Sequence, residues 1–392
     1  MENIKIGIVG IGNMGSAHLN CIYNGEIDGL KVTAVWEKNP MRIKAVKEEY
    51  SDIIVYDDYD KMLEKAYIDA VLISTPHPLH SQMGIQALKA DKHLLVEKPI
   101  DITVSKAKMI NDLAQESNKV FGIMFNQRTN NLFSIARDIV KSGQLGELKR
   151  SNWIITNWYR TQSYYDSGSW RATWGGEGGG VLLNQAPHQL DLWQWICGMP
   201  KSVTAFCNIA KYHNIEVEDE AIIHTTYENG ATGSFITSTG EYPGTNRLEI
   251  SGTLGKLVIE EGVLKHWKLK EDEHLVCKTS PLNSPEIEME YTEYKAEYEP
   301  GHKGILQNFT NSIINNEPLI APGIEGINEL IISNAAYLSN WKGNVKINIP
   351  FDKEEFDSFL SINKDKSKFK GNFISNDNEN NINYTSRWKV HW

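Results

Sequence analysis

The chain has 392 residues, 41% of them hydrophobic, which is enough for about two ordinary domains with a core each. Its 50 acidic and 40 basic side chains leave a net charge of −10 with no long Lys/Arg block, which excludes an electrostatic footprint for nucleic acid or an anionic membrane. Cys21, Cys197, Cys207 and Cys277 lack any paired spacing, and no apolar run reaches the roughly 18 residues of a membrane span, so neither a disulfide framework, a metal site nor a spanning helix is expected.

A first strand begins near Ile4, too early for an export signal, and a cytoplasmic protein working on small molecules is expected. The apolar run from Lys5 leads directly into Gly10, Gly12 and Gly15, the pattern of a strand that turns straight into a helix. Gly10 permits the tight turn, Gly12 lets the backbone approach a pyrophosphate, and Gly15 lets the helix pack on its strand. Phosphates then rest on the free N–H groups around Asn13 and Met14. A helix is predicted over 14–24 and a strand over 30–36, ending in Glu37. A carboxylate there accepts from ribose hydroxyls and repels a 2′-phosphate, which favours NAD; Lys38 and Arg42 beside it keep NADP as the alternative.

Helical patterns at 41–50, 58–65, 79–90 and 104–117 then alternate with apolar strands at 69–74, 93–96 and 120–124. Such alternation predicts a doubly wound parallel sheet, a Rossmann domain over 1–127, with ligands beyond the carboxyl ends of its strands. Two loops stand out there. In 74–80, Pro76 and Pro78 fix a turn that offers Thr75 and His80 to the nicotinamide side. In the other, Glu97, Lys98 and Pro99 follow a buried strand, where a lysine reaches the crevice.

Beyond residue 128 the pattern changes to short β-rich runs at 151–157, 202–210, 220–227, 231–239, 247–251 and 256–260. These predict an open, mostly antiparallel sheet, with Asn229 and Gly230 as a type I′ hairpin turn. The stretch 289–299 is acidic and Tyr-rich, and helices are predicted at 304–315 and 326–340, the latter packing back on the first domain. The second, α+β domain therefore covers 128–360. From Ser361 the composition turns to Asn, Lys, Asp and Ser, so 361–392 reads as a poorly ordered polar tail, ending in Trp388 and Trp392, that either frays or docks on a neighbour.

His188 and Asn184 are one helical turn apart and are expected to face the crevice from one helix. Oxidising an alcohol needs a base for the hydroxyl proton, for which His188 is suited, and a donor to steady the oxygen, for which Lys98 is suited. Asp191 either orients His188 or makes a helix–helix hydrogen bond. Trp153, Trp158, Tyr159, Tyr164, Tyr165, Trp170, Trp174 and Trp193 cluster in sequence around Arg160 and Arg171, and aromatic faces with forked donors suit pyranose rings. About half of these aromatics are expected in the core.

In this order, the glycine turn, the loop of Thr75, Pro76 and His80, and Glu97-Lys98-Pro99 resemble the Gfo/Idh/MocA family of NAD(P)-dependent oxidoreductases. The segments 126–128, 142–147, 178–191, 217–219, 228–231 and 252–255 resemble further landmarks of that family, over roughly residues 4 to 350. The resemblance implies Asn126 beside the cofactor and Arg128 beside the substrate. It also implies Trp158, Tyr159, Arg160, Trp170, Arg171, Asn184 and His188 around a sugar, anhydrosugar or glycoside oxidised at a ring hydroxyl. Lys98 and His188 match the family's catalytic lysine and histidine. The common family pattern has aspartate where this chain has Asn184; an amide cannot accept a proton, so Asn184 is left to orient the sugar or Lys98. The resemblance also implies a free sheet face for a homodimer or homotetramer. Two other activities fit it: oxidation and re-reduction with retained NAD, giving elimination or isomerisation, and a non-catalytic NAD-binding sensor, against which Lys98 and His188 count.

Overall fold

The computed structural model describes residues 3–369; the end of the polar tail, with Trp388 and Trp392, lies outside them. The first half runs β1 (Ile4–Val9), α1 (Asn13–Tyr23), β2 (Leu30–Trp36), α2 (Pro40–Glu49), β3 (Ile54–Tyr56), α3 (Tyr59–Lys65), β4 (Ala70–Ile73), α4 (His80–Lys89), β5 (His93–Val96), α5 (Val104–Glu116) and β6 (Phe121–Ile123). All neighbouring strands are parallel, in the order β3-β2-β1-β4-β5-β6. Ala70, Val71, Leu72 and Ile73 of β4 have no solvent exposure at all, because helices cover both faces of the sheet. The order in which strands are added reverses between β1 and β4, and the carboxyl ends of those strands open the crevice where doubly wound sheets bind ligands. The three-residue edge strand β3 is too short to leave a periodic signal.

The second half continues with α6 (Asn131–Lys141), β7 (Leu148–Ile155), α7 (Gln162–Tyr165), α8 (Val181–Asn184), α9 (Pro187–Cys197), β8 (Ser202–Ile209), β9 (Glu218–Thr226) and β10 (Thr232–Ser238). It ends with β11 (Asn246–Gly252), β12 (Gly255–Glu260), β13 (Val263–Leu269), α10 (Glu273–Thr279), β14 (Met289–Lys295), α11 (Gly301–Asn315), α12 (Gly326–Trp341), β15 (Ile347–Asn348) and α13 (Lys353–Lys366). A nine-stranded sheet is ordered β14-β13-β12-β11-β7-β10-β9-β8-β15, antiparallel throughout except for the β7–β10 pair. One face packs on α9, where Trp193 lies 5.5 Å from Phe235, and on α12, whose Ser339 accepts from the amide of Ala205. None of the described helices is long and apolar enough to cross a membrane.

Three expectations change. The hairpin at Asn229 is not type I′, since only Gly230 takes a positive φ (84°). The Gly230 amide donates to the Tyr227 carbonyl at 3.1 Å, and the Asn229 side chain is committed to Leu148 and Ala231, leaving a type I turn followed by a left-handed glycine. Regular structure also continues past Ser361, because α13 runs on to Lys366. Asp352 caps it by accepting from the amides of Glu354 and Glu355, and Phe356 and Leu360 are buried under it. Ser367 then hydrogen-bonds Glu216 and the Gly175 amide, which stitches this segment to the second domain. Finally, β13 and β14 extend the sheet beyond the predicted runs; Lys265, His266 and Lys268 interrupt the apolar alternation of β13.

Helix α12 lies against the Rossmann domain. A Cβ on Gly326 would stand 2.6 Å from Ile123, and the Asn334 side chain bonds both the Ile102 carbonyl and the Val104 amide at 3.2 Å.

Candidate active site

The glycine turn has the geometry its spacing implies. Gly10 sits at φ +88°, a conformation side chains other than glycine rarely adopt, and a Cβ on Gly15 would fall 1.9 Å from the Gly10 carbonyl. A Cβ on Gly12 would meet nothing within 4 Å, so the lack of a side chain there leaves an open cradle at the start of α1. No side chain caps that helix, whose first amides, at Asn13, Met14 and Gly15, suit an anion. At the end of β2, buried Glu37 accepts from the amides of Ile11 (2.7 Å), Lys38 (2.8 Å) and Asn39 (2.9 Å), pinning the two strand ends together. Arg42 approaches Glu37 at 3.9 Å, while the Lys38 ammonium lies 5.7 Å from the Trp36 ring. Thr75 Oγ1 and Asn126 Oδ1, buried beyond the ends of β4 and β6, have no hydrogen-bond partner among the described residues. An open glycine cradle, an uncapped helix N-terminus and these two orphaned oxygens fit a dinucleotide.

Lys98 projects from the end of β5, and its Nζ donates to the main-chain carbonyl of Asn184 at 2.8 Å. Burial holds its pKa below the ordinary lysine value, against the opposing pull of Glu97, Glu329 and Glu177. Beside it Glu97 is buried; burial pushes its pKa up, but the 2.7 Å contact with His18 and the charges of His18, His302 and Lys98 outweigh that and hold it at about 2. His188 is buried near the start of α9, with Phe125 edge-on at 6.4 Å. Burial first, and the charges of Lys98 and His302 next, keep its pKa well below the ordinary histidine value, so it is neutral at physiological pH. His188 and Lys98 therefore share one crevice. His188 and Asn184 do not share one helix, however. Pro187 restarts the chain as α9 after the four-residue α8, because a proline has no N–H with which to continue the hydrogen-bond ladder of α8 and is favoured in a first turn.

Two family models match the chain: "Oxidoreductase family, NAD-binding Rossmann fold" over residues 4–125 and "GFO/IDH/MocA C-terminal domain" over 133–258. The chain belongs to the Gfo/Idh/MocA family. Like that family, it is an NAD(P)-dependent oxidoreductase acting on CH–OH groups. Among its relatives, scyllo-inositol 2-dehydrogenase (NADP(+)) IolW of Bacillus subtilis is 24% identical over 351 residues, 87% of this chain and 94% of that protein. The scyllo-inositol 2-dehydrogenase (NAD(+)) of the same organism is 23% identical over 345 residues, 86% of this chain and 93% of that protein. Levoglucosan dehydrogenase, solved with NADH and levoglucosan, superposes with a TM-score of 0.72 at 21% identity, covering 89% of this chain and all of that one, and shares its fold.

Within this Gfo/Idh/MocA site several expected residues have other work. His80 is fully buried, with its ring nitrogens 2.7 Å from the Pro99 carbonyl and 2.6 Å from that of Thr75. It clamps the two strand-end loops together and is not offered to the nicotinamide side. Arg128, expected at the substrate, is buried in a forked pair with Asp191 at 2.7 and 2.8 Å and also binds Glu325. That pair commits Asp191 as well, so Asp191 ties α9 to the turn after β6 and does not orient His188. Trp153, Tyr165, Trp174 and Trp193 are core, leaving Trp158, Tyr159, Tyr164 and Trp170 with exposed ring surface. Arg171 lies 4.6 Å from the Tyr164 ring and 4.7 Å from that of Trp170, and Arg160 lies 5.2 Å from the same tyrosine ring.

Three titratable groups escape sequence reasoning. Glu177, 1% exposed, accepts from the Asn184 side-chain amide and from the Ala172 amide at 2.6 Å, with Arg171 at 3.6 Å. Its only sequence signal is a charge set within a run of glycines. Glu329 is fully buried on α12 without a hydrogen-bond partner among the described residues, and its pKa stands well above the carboxylate range through burial and the charge of Asp191. His302, from α11, meets His18 edge-on at 5.7 Å and is pushed down to about 4 chiefly by burial.

Proposed function

We propose that this chain is an NAD-dependent oxidoreductase that oxidises a secondary ring hydroxyl of a sugar, anhydrosugar or glycoside. The observation that carries the reading is the joint burial of a neutral His188 and a Lys98 whose Nζ is held by Asn184 at the mouth of a dinucleotide crevice. His188 takes the hydroxyl proton. Lys98 hydrogen-bonds the same oxygen and offsets the negative charge that grows on it, an effect strengthened where water is excluded. The glycine turn, Glu37, Thr75, Pro76, Glu97 and Asn126 hold the dinucleotide, and bound NAD supplies the hydride acceptor. Glu37, with its carboxylate fixed at the end of β2, is the residue that favours NAD over NADP. Trp158, Tyr159, Arg160, Trp170 and Arg171 supply ring faces and forked donors for a pyranose. The dehydrogenases of inositol and levoglucosan among the relatives support this substrate class.

Absorbance of NADH, followed with NAD or NADP over a panel of polyols, anhydrosugars and glycosides, tests the reading. Turnover of at least one ring alcohol is the expected result, and a panel silent with both cofactors refutes it. Product formation without NADH accumulation assigns the chain instead to redox-neutral elimination or isomerisation.

The free sheet face supports a homodimer or homotetramer. Phe206, Ile222, Ile236 and Ile154 stand in register on adjacent strands, and the first two are 52% and 40% exposed. Phe206→Lys should lower the mass seen by analytical ultracentrifugation; an unchanged mass moves the interface elsewhere.

A further inference from the structure

We propose that Glu177 makes this crevice selective for uncharged sugars, by neutralising the cation that would otherwise receive a carboxylate on the ring. The inference rests on the sugar-oxidising reading above and adds the charge class of the substrate. Arg171 is the forked donor whose charge reaches Lys98, and it is joined to that end of the crevice through Glu177 and then Asn184, whose carbonyl holds Lys98. A free guanidinium here would be a strong anion receptor, binding a carboxylate through two parallel hydrogen bonds. This one is not free to act as such a receptor. Its Nη1 donates to the Tyr164 hydroxyl at 2.8 Å and stands 3.6 Å from the Glu177 carboxylate, which is itself buried.

The other crevice cation differs: the Lys98 Nζ donates to the neutral Asn184 carbonyl and feels the charge of Glu97, whose own close partner is His18. Lys98 follows Glu97 directly, and the Glu97 carboxylate accepts from the Lys98 amide. At Arg171 an incoming carboxylate therefore meets a guanidinium already matched by a buried negative group, and loses its hydration as well. A neutral polyol meets donors and acceptors that its hydroxyls can satisfy. Arg160 donates to the Tyr159 carbonyl and lies 5.2 Å from the Tyr164 ring.

Glu177 acts through Arg171 and Asn184, and is a positioning residue. Its carboxylate oxygens serve separate donors, the Asn184 amide on one and the Ala172 amide on the other. Ala172 has a φ of +51°, unusual outside glycine, so Glu177 also holds the turn that carries Arg171. A structural role alone would change stability and the rate on every sugar together. A charge-setting role changes the ratio between sugars, and that ratio is the discriminating readout.

The test compares matched pairs, D-glucose with D-glucuronate and D-galactose with D-galacturonate, by titration calorimetry on the NAD-loaded protein and by initial rates. The parent should prefer the neutral member of a pair. Glu177→Gln should move the neutral-to-anionic ratio toward the acid by about tenfold or more, as expected for removing one close charge in a water-poor site. Glu177→Asp, which keeps the charge, should keep the parent's preference even if kcat falls. A parent that prefers the acids, or a folded Glu177→Gln protein with an unchanged ratio, overturns the inference and leaves the sugar reading standing. If no sugar of either charge binds, both fall together. The parent's preference needs no variant, so a Glu177→Gln protein that fails to fold does not remove the test.

Discussion

Asn184→Asp separates the roles of this side chain. In the parent its amide donates to Glu177, and the aspartate would set a second carboxylate against that buried one. The lost hydrogen bond to a charged group is worth about 1.5–3 kcal/mol, and the like-charge contact adds to it. At about 2–4 °C per kcal/mol, the melting temperature at neutral pH should fall by roughly 3–12 °C. The pH dependence follows from the direction of the shift. Burial already raises the pKa of Glu177, and a neighbouring carboxylate raises the pair further, so the two share a proton in the folded chain at mildly acidic pH. A carboxyl whose folded pKa exceeds its unfolded value keeps its stability contribution below the unfolded pKa and loses it as pH rises through the folded one. The gap between parent and variant should therefore be smallest near pH 5 and widen toward pH 8. The same added charge raises the proton affinity of His188, so the acidic limb of kcat/KM should move to higher pH while alkaline activity survives. Melting curves and pH–rate profiles read both effects. A gap that does not change with pH, together with an unmoved limb, refutes the placement of this side chain against Glu177.

Lys98→Ala and His188→Ala should each lower kcat by about two orders of magnitude or more with NAD affinity nearly intact, the scale of positioned proton transfer; near-parent turnover removes the residue from the mechanism. Because burial and neighbouring charge hold the His188 pKa well below its ordinary value, the parent's kcat/KM should stay level as pH falls through the usual histidine range; a limb at or above that range argues for another base. Glu37→Ala should narrow the preference for NAD over NADP in kcat/KM, and a parent that prefers NADP assigns the choice to Lys38 or Arg42. Arg128→Met leaves Asp191 charged and unpaired in the interior, a cost of about 3–5 kcal/mol, so the melting temperature should drop sharply while the KM of the remaining folded enzyme holds; a stable variant with a raised KM would return Arg128 to the substrate.

The elements near the glycine turn were legible in the sequence because the information there is local. An apolar run and three spaced glycines each state a backbone requirement, and Gly10 and Gly15 meet it where the spacing puts them. The alternation of strands and helices likewise determined a parallel sheet, and the short β-rich runs determined the antiparallel one. What the sequence could not determine is which polar groups the fold turns inward and pairs. Arg128 and Asp191 are 63 residues apart and become one buried ion pair only when α9 packs beside the turn after β6. His80 looked like a crevice residue until the loops of Thr75 and Pro99 closed on its two nitrogens. Glu177 and Glu329 would pass for solvated charges in any periodicity. Tertiary packing alone took them out of water, and the cost of burying a carboxylate forces each toward a partner or a proton.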